Sequence, residues 1–85
     1  MNQEESKITD WLVSKGIYPF SVLYIRKFNI LHISFFLHSE IDEILKILDY
    51  DHVCDNSGVH IYPETNTVIF TDLFLKNFLK NVLTD

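Results

Sequence analysis

Only four residues of this 85-residue chain are glycine or proline: Gly16, Pro19, Gly58 and Pro63. Both residue types are disfavoured inside helices and strands, so they mark the boundaries of elements. Between Pro19 and Gly58 the fold has to be inferred from hydrophobic periodicity alone. A chain of this length buries roughly 60–65% of the surface exposed when unfolded. We therefore expect a single domain over residues 1–85.

The first segment, residues 3–15, has the pattern of an amphipathic helix. Ile8, Trp11 and Leu12 recur at the spacing of one helix face, and Gly16 suits the end of the helix. The sequence therefore predicts a first helix over residues 3–15.

The segment after Pro19 is compatible with two structures. Pro19 can open a second helix, with Ser21 as its cap, over residues 22–28. Val22 and Tyr24 suit a strand equally well, because β-branched and aromatic side chains pack on a pleated surface. In that alternative, residues 20–37 form a pair of strands.

The clearest helical pattern comes third in the chain. Its apolar residues recur at i, i+4, i+7, i+8 and i+11, which predicts one core-facing stripe: Leu37, Ile41, Ile44, Leu45 and Leu48. At 100° per residue, two further apolar residues lie off that stripe, on a flank shared with two carboxylates. These four residues are Phe36, Ile47, Glu40 and Glu43.

After Tyr50 the hydrophobic period changes to two, with turn sequences at residues 55–58 and 63–66. If Tyr62 pairs with Thr67, then one face of the resulting hairpin is apolar and the other is mixed. The apolar face would hold Val59, Ile61, Val68 and Phe70, and the other face His60, Tyr62 and Ile69.

The last segment predicts a helix that Thr71 or Asp72 caps. Its apolar stripe would be Leu73, Phe74, Phe78, Leu79, Val82 and Leu83. The predicted fold class is therefore α+β, a small winged-helix-like domain with three helices, a β-hairpin and a C-terminal helix. The strand-pair alternative gives a repeated ββα arrangement instead.

Two stretches, "WLVSKGIYPFSVLYIRKFNI" (11–30) and "IDEILKIL" (41–48), resemble the C-terminal winged-helix domain of FtsK-type DNA translocases. The resemblance covers about half of the chain and rests on a helix, a loop, a Ser-initiated helix with paired basic residues, and a periodic third helix. It implies a winged helix-turn-helix that reads DNA with the start of the third helix. In this chain that start is "SFFLHSE" (34–40), which contains no Arg or Lys.

The formal net charge of −5 comes from one stretch. Residues 40–55 contain six acids and one base, whereas residues 7–27 carry four bases and one acid. DNA binding without sequence preference depends on a dense basic face, which this chain lacks. The acidic stretch is either a solvated helix face or a surface that recognises a basic protein partner.

We therefore expect a non-enzymatic regulatory or inhibitory module that works by protein–protein interaction. The expected contact residues are an apolar pair with the carboxylates beside it: Phe36, Glu40, Glu43, Ile47, Asp49 and Asp51. An apolar centre would supply affinity and the acids would supply specificity. Fourteen of the 21 residues from 17 to 37 are Ile, Leu, Val, Phe or Tyr. A two-sided core element would absorb them; otherwise the surplus marks an interface, including one between two copies of the chain.

Sequence-specific DNA binding is the alternative function. In that case Arg26 and Lys27 would hold phosphates while Phe35, His38 and Ser39 enter the major groove.

Chemistry by a metal or a cysteine is not expected. His52, Cys54, Asp55 and His60 include zinc-type ligands, but an even-length loop would turn His60 away from Cys54. The acids around Cys54 disfavour a thiolate nucleophile. We expect no metal, no cofactor and no catalytic residues.

The expected location is a cytoplasm, bacterial or that of a host cell. One cysteine cannot form a disulfide within the chain, the N-terminus is acidic, and no apolar stretch approaches the roughly 18 residues that span a bilayer.

Overall fold

The computed structural model describes residues 2–47 and 58–83 of the chain. Its helices and strands, in chain order, are α1 (Gln3–Ser14), β1 (Pro19–Ile25), β2 (Ile30–Phe35), α2 (Ser39–Ile47), β3 (Val59–Tyr62), β4 (Thr67–Thr71) and α3 (Asp72–Leu83). The four strands form one sheet in the order β1-β2-β4-β3, and every neighbouring pair is antiparallel.

The predicted winged-helix-like order, with three helices before a single hairpin, is wrong. After α1, a hairpin followed by a helix occurs twice. Residues Pro19–Ile25 form a strand because their β-branched and aromatic side chains pack well on a pleated surface. The observed order corresponds to the repeated ββα arrangement, in which residues 20–37 form a strand pair.

The two hairpins turn in the same way. Each has three residues in a 3-10 turn, Arg26–Phe28 in the first and Pro63–Thr65 in the second. An asparagine in the left-handed region then ends each turn, with φ of 54° at Asn29 and 50° at Asn66. Asparagine adopts this conformation more readily than most residues with a Cβ. The shared turn makes the two ββα units structural repeats.

The predicted register of the second hairpin is confirmed. Tyr62 pairs with Thr67. The pairs Ile61–Val68 and Val59–Phe70 follow as expected.

The sheet has one buried face and one face that no described helix covers. Along β2, Leu31 and Ile33 are fully buried, whereas the alternating residues His32 and Ser34 are half-buried. The buried residues share one core with the helices, and Trp11 of α1 meets Phe78 of α3 edge to face at 5.4 Å between ring centroids. The strand register places the following residues on the uncovered side, called the open face below: Ser21, Leu23, Ile25, Ile30, His32, Ser34, His60, Tyr62, Thr67, Ile69 and Thr71.

The first helix is confirmed, and it also fixes the outer edge of the sheet. Asn2 and Glu5 form a capping box, in which the Asn2 side chain accepts from the Glu5 amide and Glu5 Oε1 accepts from the Asn2 amide. The second carboxylate oxygen of Glu5 accepts from the amide of Tyr24 in β1 at 2.9 Å. One buried side chain therefore ties the start of α1 to the edge strand, and it covers a backbone donor that could otherwise pair with another chain.

The stripe predicted for the third helix is partly wrong. Helix α2 begins at Ser39, so Leu37 precedes it and is 62% exposed. Ile41 and Ile44 are buried as predicted. Ile47, which we expected on a free flank, packs against the core. Leu48 lies outside the described residues.

Helix α3 spans the predicted residues, and five of the six residues of its predicted stripe are buried or pack against the core: Phe74, Phe78, Leu79, Val82 and Leu83. Leu75, Phe78 and Val82 are buried, whereas Leu73 is 62% exposed. Three consecutive apolar residues, 73–75, fit more than one helical phase, and packing against β4 selects the one that buries Leu75. In the part of the chain that the structure describes, no helix is long and apolar enough to cross a membrane.

Candidate functional site

Two phenylalanine rings meet at one end of the open face. Phe20 of β1 and Phe36, which follows β2, lie edge to face with ring centroids 5.2 Å apart and planes at 84°. Despite this contact, Phe20 is 66% exposed and Phe36 64% exposed. We call this pair the aromatic corner.

An irregularity in β1 positions Phe20 at this corner. Pro19 pairs with Phe35 and Ser21 pairs with Ser34, so Phe20 is an extra residue without a partner in the register. A bulge of this kind redirects the side chain of the inserted residue. Pro19, which has no backbone donor, is tolerated because β1 is an edge strand.

The turn of the second hairpin positions Phe36. The carbonyl of Asn66 accepts from the amide of Phe35 at 2.8 Å, and Asn66 Nδ2 donates to the carbonyl of Phe36 at 3.2 Å. Asn66 therefore has two roles. Its left-handed backbone reverses the chain, and its carbonyl and side-chain amide hold the segment that carries Phe36.

A shallow groove of about 530 Å³ runs from the aromatic corner onto the open face. Its lining combines two exposed rings and the buried ring of Phe35 with hydroxyl groups and one imidazole: Phe20, His32, Ser34, Phe35, Phe36, Thr65 and Thr67. We call it the hydroxyl groove. Its volume lies in the range of sites that bind small molecules or side chains, roughly 300–1,000 Å³.

The hydroxyl groups in the groove have a fixed direction of donation. Thr67 Oγ1 donates its single proton to the carbonyl of Thr65 at 3.0 Å. The contact of 3.0 Å between Ser34 Oγ and Thr67 Oγ1 must then be donated by Ser34. Ser34 Oγ therefore keeps lone pairs that can accept a bond, but it has no further proton to donate.

Carboxylates flank the aromatic corner and the groove. Glu40 Oε1 accepts from the amide of Leu37, directly after Phe36. Glu43 is exposed one turn further along α2, and Glu64 is exposed in the turn beside Thr65. The apolar surface is therefore bordered by negative charge.

The residues expected to contact a partner are only partly brought together. Phe36 is part of the aromatic corner and Glu40 lies beside it, whereas Glu43 is exposed one turn further along α2. Ile47 is held by the core and is not a free contact residue. Asp49 and Asp51 lie outside the described residues.

The residues of the DNA-binding alternative do not form one surface. Arg26 and Lys27 lie in the turn before β2, whereas His38 and Ser39 follow its other end. The six residues of β2 separate these groups by roughly 17–20 Å. Phe35 is only 4% exposed, so it cannot enter a DNA groove.

The two basic residues also have local partners. Arg26 forms an ion pair with Glu4 of α1, and the ammonium of Lys27 lies 5.6 Å from the centroid of the Phe28 ring. The Arg26 charge is therefore already paired within the chain.

Of the candidate zinc-type residues, only His60 lies within the described part of the chain. His52, Cys54 and Asp55 lie outside the described residues, and His60 lies on the open face with Nε2 3.4 Å from Thr71 Oγ1. Within residues 2–47 and 58–83, no group of three or more metal-ligating side chains is found.

No protein-family model, curated protein or solved structure matches this chain. The resemblance to FtsK-type translocases implied a winged helix, which the strand at Pro19–Ile25 contradicts. No function is therefore carried over from that family.

Asn66 and Asn29 offer a matched test of how the corner is held. Alanine in the left-handed region lacks the local hydrogen bonds by which asparagine tolerates this conformation. Either substitution should therefore lower the free energy of unfolding by about 1 kcal/mol. Asn66→Ala also removes the bond to the Phe36 carbonyl, so we expect it to cost about 1 kcal/mol more than Asn29→Ala. Urea unfolding of both variants measures the difference, and equal losses would show that Asn66 does not hold Phe36.

Sequence reasoning did not select Phe20 and Ser34, because the leading prediction did not pair residues 19–25 with 30–35. It placed Thr67 in the second hairpin but did not predict its pairing with Ser34 of β2. The available signal was the asparagine that ends each turn, in "RKFN" (26–29) and "PETN" (63–66). Reading both as the same turn pairs β1 with β2 and brings Phe20 beside Phe36.

Proposed function

We propose that this chain is a non-enzymatic module that binds a basic protein partner through the aromatic corner. The observation that carries the proposal is the exposure of Phe20 and Phe36, each about two-thirds accessible although the two rings contact one another. The core leaves both rings in water, where a partner can bury them. A regulatory or inhibitory role fits a small module of this kind.

The energetics favour the corner as an anchor. Burying the remaining exposed area of two phenylalanine side chains supplies a few kcal/mol, at roughly 25 cal/mol per Å² of apolar surface. Aromatic residues are common among the few side chains that dominate binding energy at interfaces. The bulge at Phe20 and the bonds from Asn66 hold the corner in place before binding, which lowers the entropic cost.

The carboxylates support a basic partner. Glu40 and Glu64 border the apolar surface and are placed to contact Lys or Arg at the rim of an interface, and Glu43 is exposed one turn further along α2. Such rim charges steer association and reject acidic partners more than they add affinity. The same charges disfavour nucleic acid at this surface, because they would repel phosphates.

Two further parts belong to this proposal. A second copy of the chain is an alternative occupant of the corner, and the protein is proposed to act in a cytoplasm. Neither changes the residues to be tested first.

Phe36→Glu tests the proposal. The change places a charge at the centre of the contact, so we expect capture of the partner from a lysate of the source cells to be lost. It should lower the free energy of unfolding by no more than about 1 kcal/mol, because the side chain is mostly exposed and loses only its contact with Phe20. Quantitative mass spectrometry of captured proteins gives the first result and urea unfolding gives the second.

Phe28→Glu is the matched control for this experiment. Phe28 has nearly the same exposure, 65%, but it lies in the turn at the opposite end of the sheet. Proteins that wild type and Phe28→Glu retain and Phe36→Glu loses would support the proposal. Identical captured proteins for all three chains would contradict it, as would loss with Phe28→Glu alone.

A further inference from the structure

We infer that the hydroxyl groove receives an aromatic side chain carrying a hydrogen-bond donor, such as an indole, from a basic segment of the partner. The inference rests on the proposed function and specifies what enters beside Phe36. Three features of the groove carry it: its ring walls, the direction of its hydroxyl bonds and the charge at its rim.

The walls select a planar ring. Phe20 and Phe36 stand at 84° to one another, so a third ring can stack on one of them while meeting the edge of the other. Aromatic rings prefer these offset and edge-to-face arrangements. The volume of about 530 Å³ accommodates a bicyclic ring together with the backbone on either side of it.

The hydroxyl groups select a donor. In this arrangement Ser34 Oγ donates its only proton to Thr67, so it is placed to accept a bond from a ligand. A ring with an N–H or O–H at its edge can donate a hydrogen bond to Ser34 Oγ. A purely hydrocarbon ring would displace water from Ser34 Oγ without replacing the hydrogen bond that the water donates. His32 lies beside Ser34 in the groove and adapts to either role through its tautomer.

The rim selects the residues that flank the ring. Glu40 lies beside the corner and Glu64 beside Thr65, so Lys or Arg next to the inserted ring would meet a carboxylate. These charges favour a peptide over a nucleobase, whose phosphates would be repelled.

The test uses short peptides and the amide NMR signals of the groove. The sequence Gly-Lys-X-Lys-Gly is titrated with X as tryptophan or as its benzothiophene isostere, which keeps the ring and lacks the N–H. We expect saturable shifts at Ser34, Phe36 and Thr67, and roughly fivefold weaker binding of the isostere, the effect of one neutral hydrogen bond. Replacing both lysines with glutamate should weaken binding further.

Ser34→Ala should remove the preference for tryptophan over the isostere. Ser21→Ala should retain it, because Ser21 is the exposed neighbour of Ser34 on the same face and does not line the groove. The preference of the wild-type chain for tryptophan is measured from its affinities for the two peptides. The inference can therefore be tested even if the Ser34→Ala variant folds poorly.

Several results would overturn the inference. These are equal affinity of the two peptides, no saturable shift up to roughly 5 mM peptide, or shifts with a single-stranded oligonucleotide and none with the peptides. If any of them occurs while Phe36→Glu still abolishes capture of the partner, the aromatic-donor inference fails and the proposed function stands. If Phe36→Glu leaves capture unchanged, the proposed function fails.

Discussion

Replacing Phe70 with alanine is expected to lower the free energy of unfolding by roughly 3–5 kcal/mol. Phe70 is fully buried in β4, and its ring contacts Phe74 at 4.8 Å and Phe78 at 5.2 Å between centroids. It also pairs with Leu31 on one side and Val59 on the other. Its removal leaves a cavity where the sheet meets α3, in a domain whose total stability is expected to be about 4–13 kcal/mol.

Urea unfolding of Phe70→Ala and Phe28→Ala measures this effect against a matched substitution. Phe28 is 65% exposed, so the same change there should cost less than about 1 kcal/mol. Similar losses in the two variants would show that the sheet does not bury Phe70 as described.

Gly58→Ala is expected to be the most damaging change of a single small residue, with a loss of roughly 2–4 kcal/mol. Gly58 has φ of +103°, which residues with a Cβ rarely adopt. An added Cβ would also overlap the backbone carbonyl of Thr71. The chain would have to move there, and the bond of 2.7 Å from the Thr71 amide to the Gly58 carbonyl would weaken.

Gly16→Ala separates backbone strain from overlap. Gly16 also has positive φ, +82°, but nothing lies within 4 Å of an added Cβ. We expect a loss of only about 1 kcal/mol for this variant. Thermal or urea unfolding of both decides the matter, and equal losses would contradict the close packing of Gly58 against β4.

The sequence was sufficient where one periodicity and one turn agreed. Helix α1 follows from the spacing of Ile8 and Leu12, and the second hairpin follows from the turn at 63–66 and its period-two flanks. In the hairpin, a shift of one residue would have turned the apolar side chains to the other face, so only one strand register was acceptable.

The sequence was insufficient where apolar residues occur on every face. Residues 30–36 carry Ile, Leu, Ile, Phe and Phe with two polar residues between them, so a strand, a helix and a buried element all remained possible. The choice depends on pairing with β4, residues 67–71, which a local pattern does not show. Because the pairing of β2 with β4 was not predicted, the candidate site was also missed, since this pairing places Ser34 and Thr67 side by side.

The start of α2 explains the remaining error at the partner surface. The observed start at Ser39 leaves Phe36 and Leu37 in the connection to the sheet instead of in the helix. Ile47 lies one turn after Ile44 and packs against the core at the edge of the buried stripe. The exposed apolar surface is therefore centred on the end of β2, not along the helix.

The pairing of β2 with β4 joins the two ββα units and creates the open face and the aromatic corner. The most direct measurement is the Hα–Hα nuclear Overhauser effect across the directly opposed pairs His32–Ile69 and Ser34–Thr67. Strong effects at both pairs are expected. Their absence, together with helical effects between residues three apart over 22–28, would contradict this pairing and would remove the basis for the proposed binding surface.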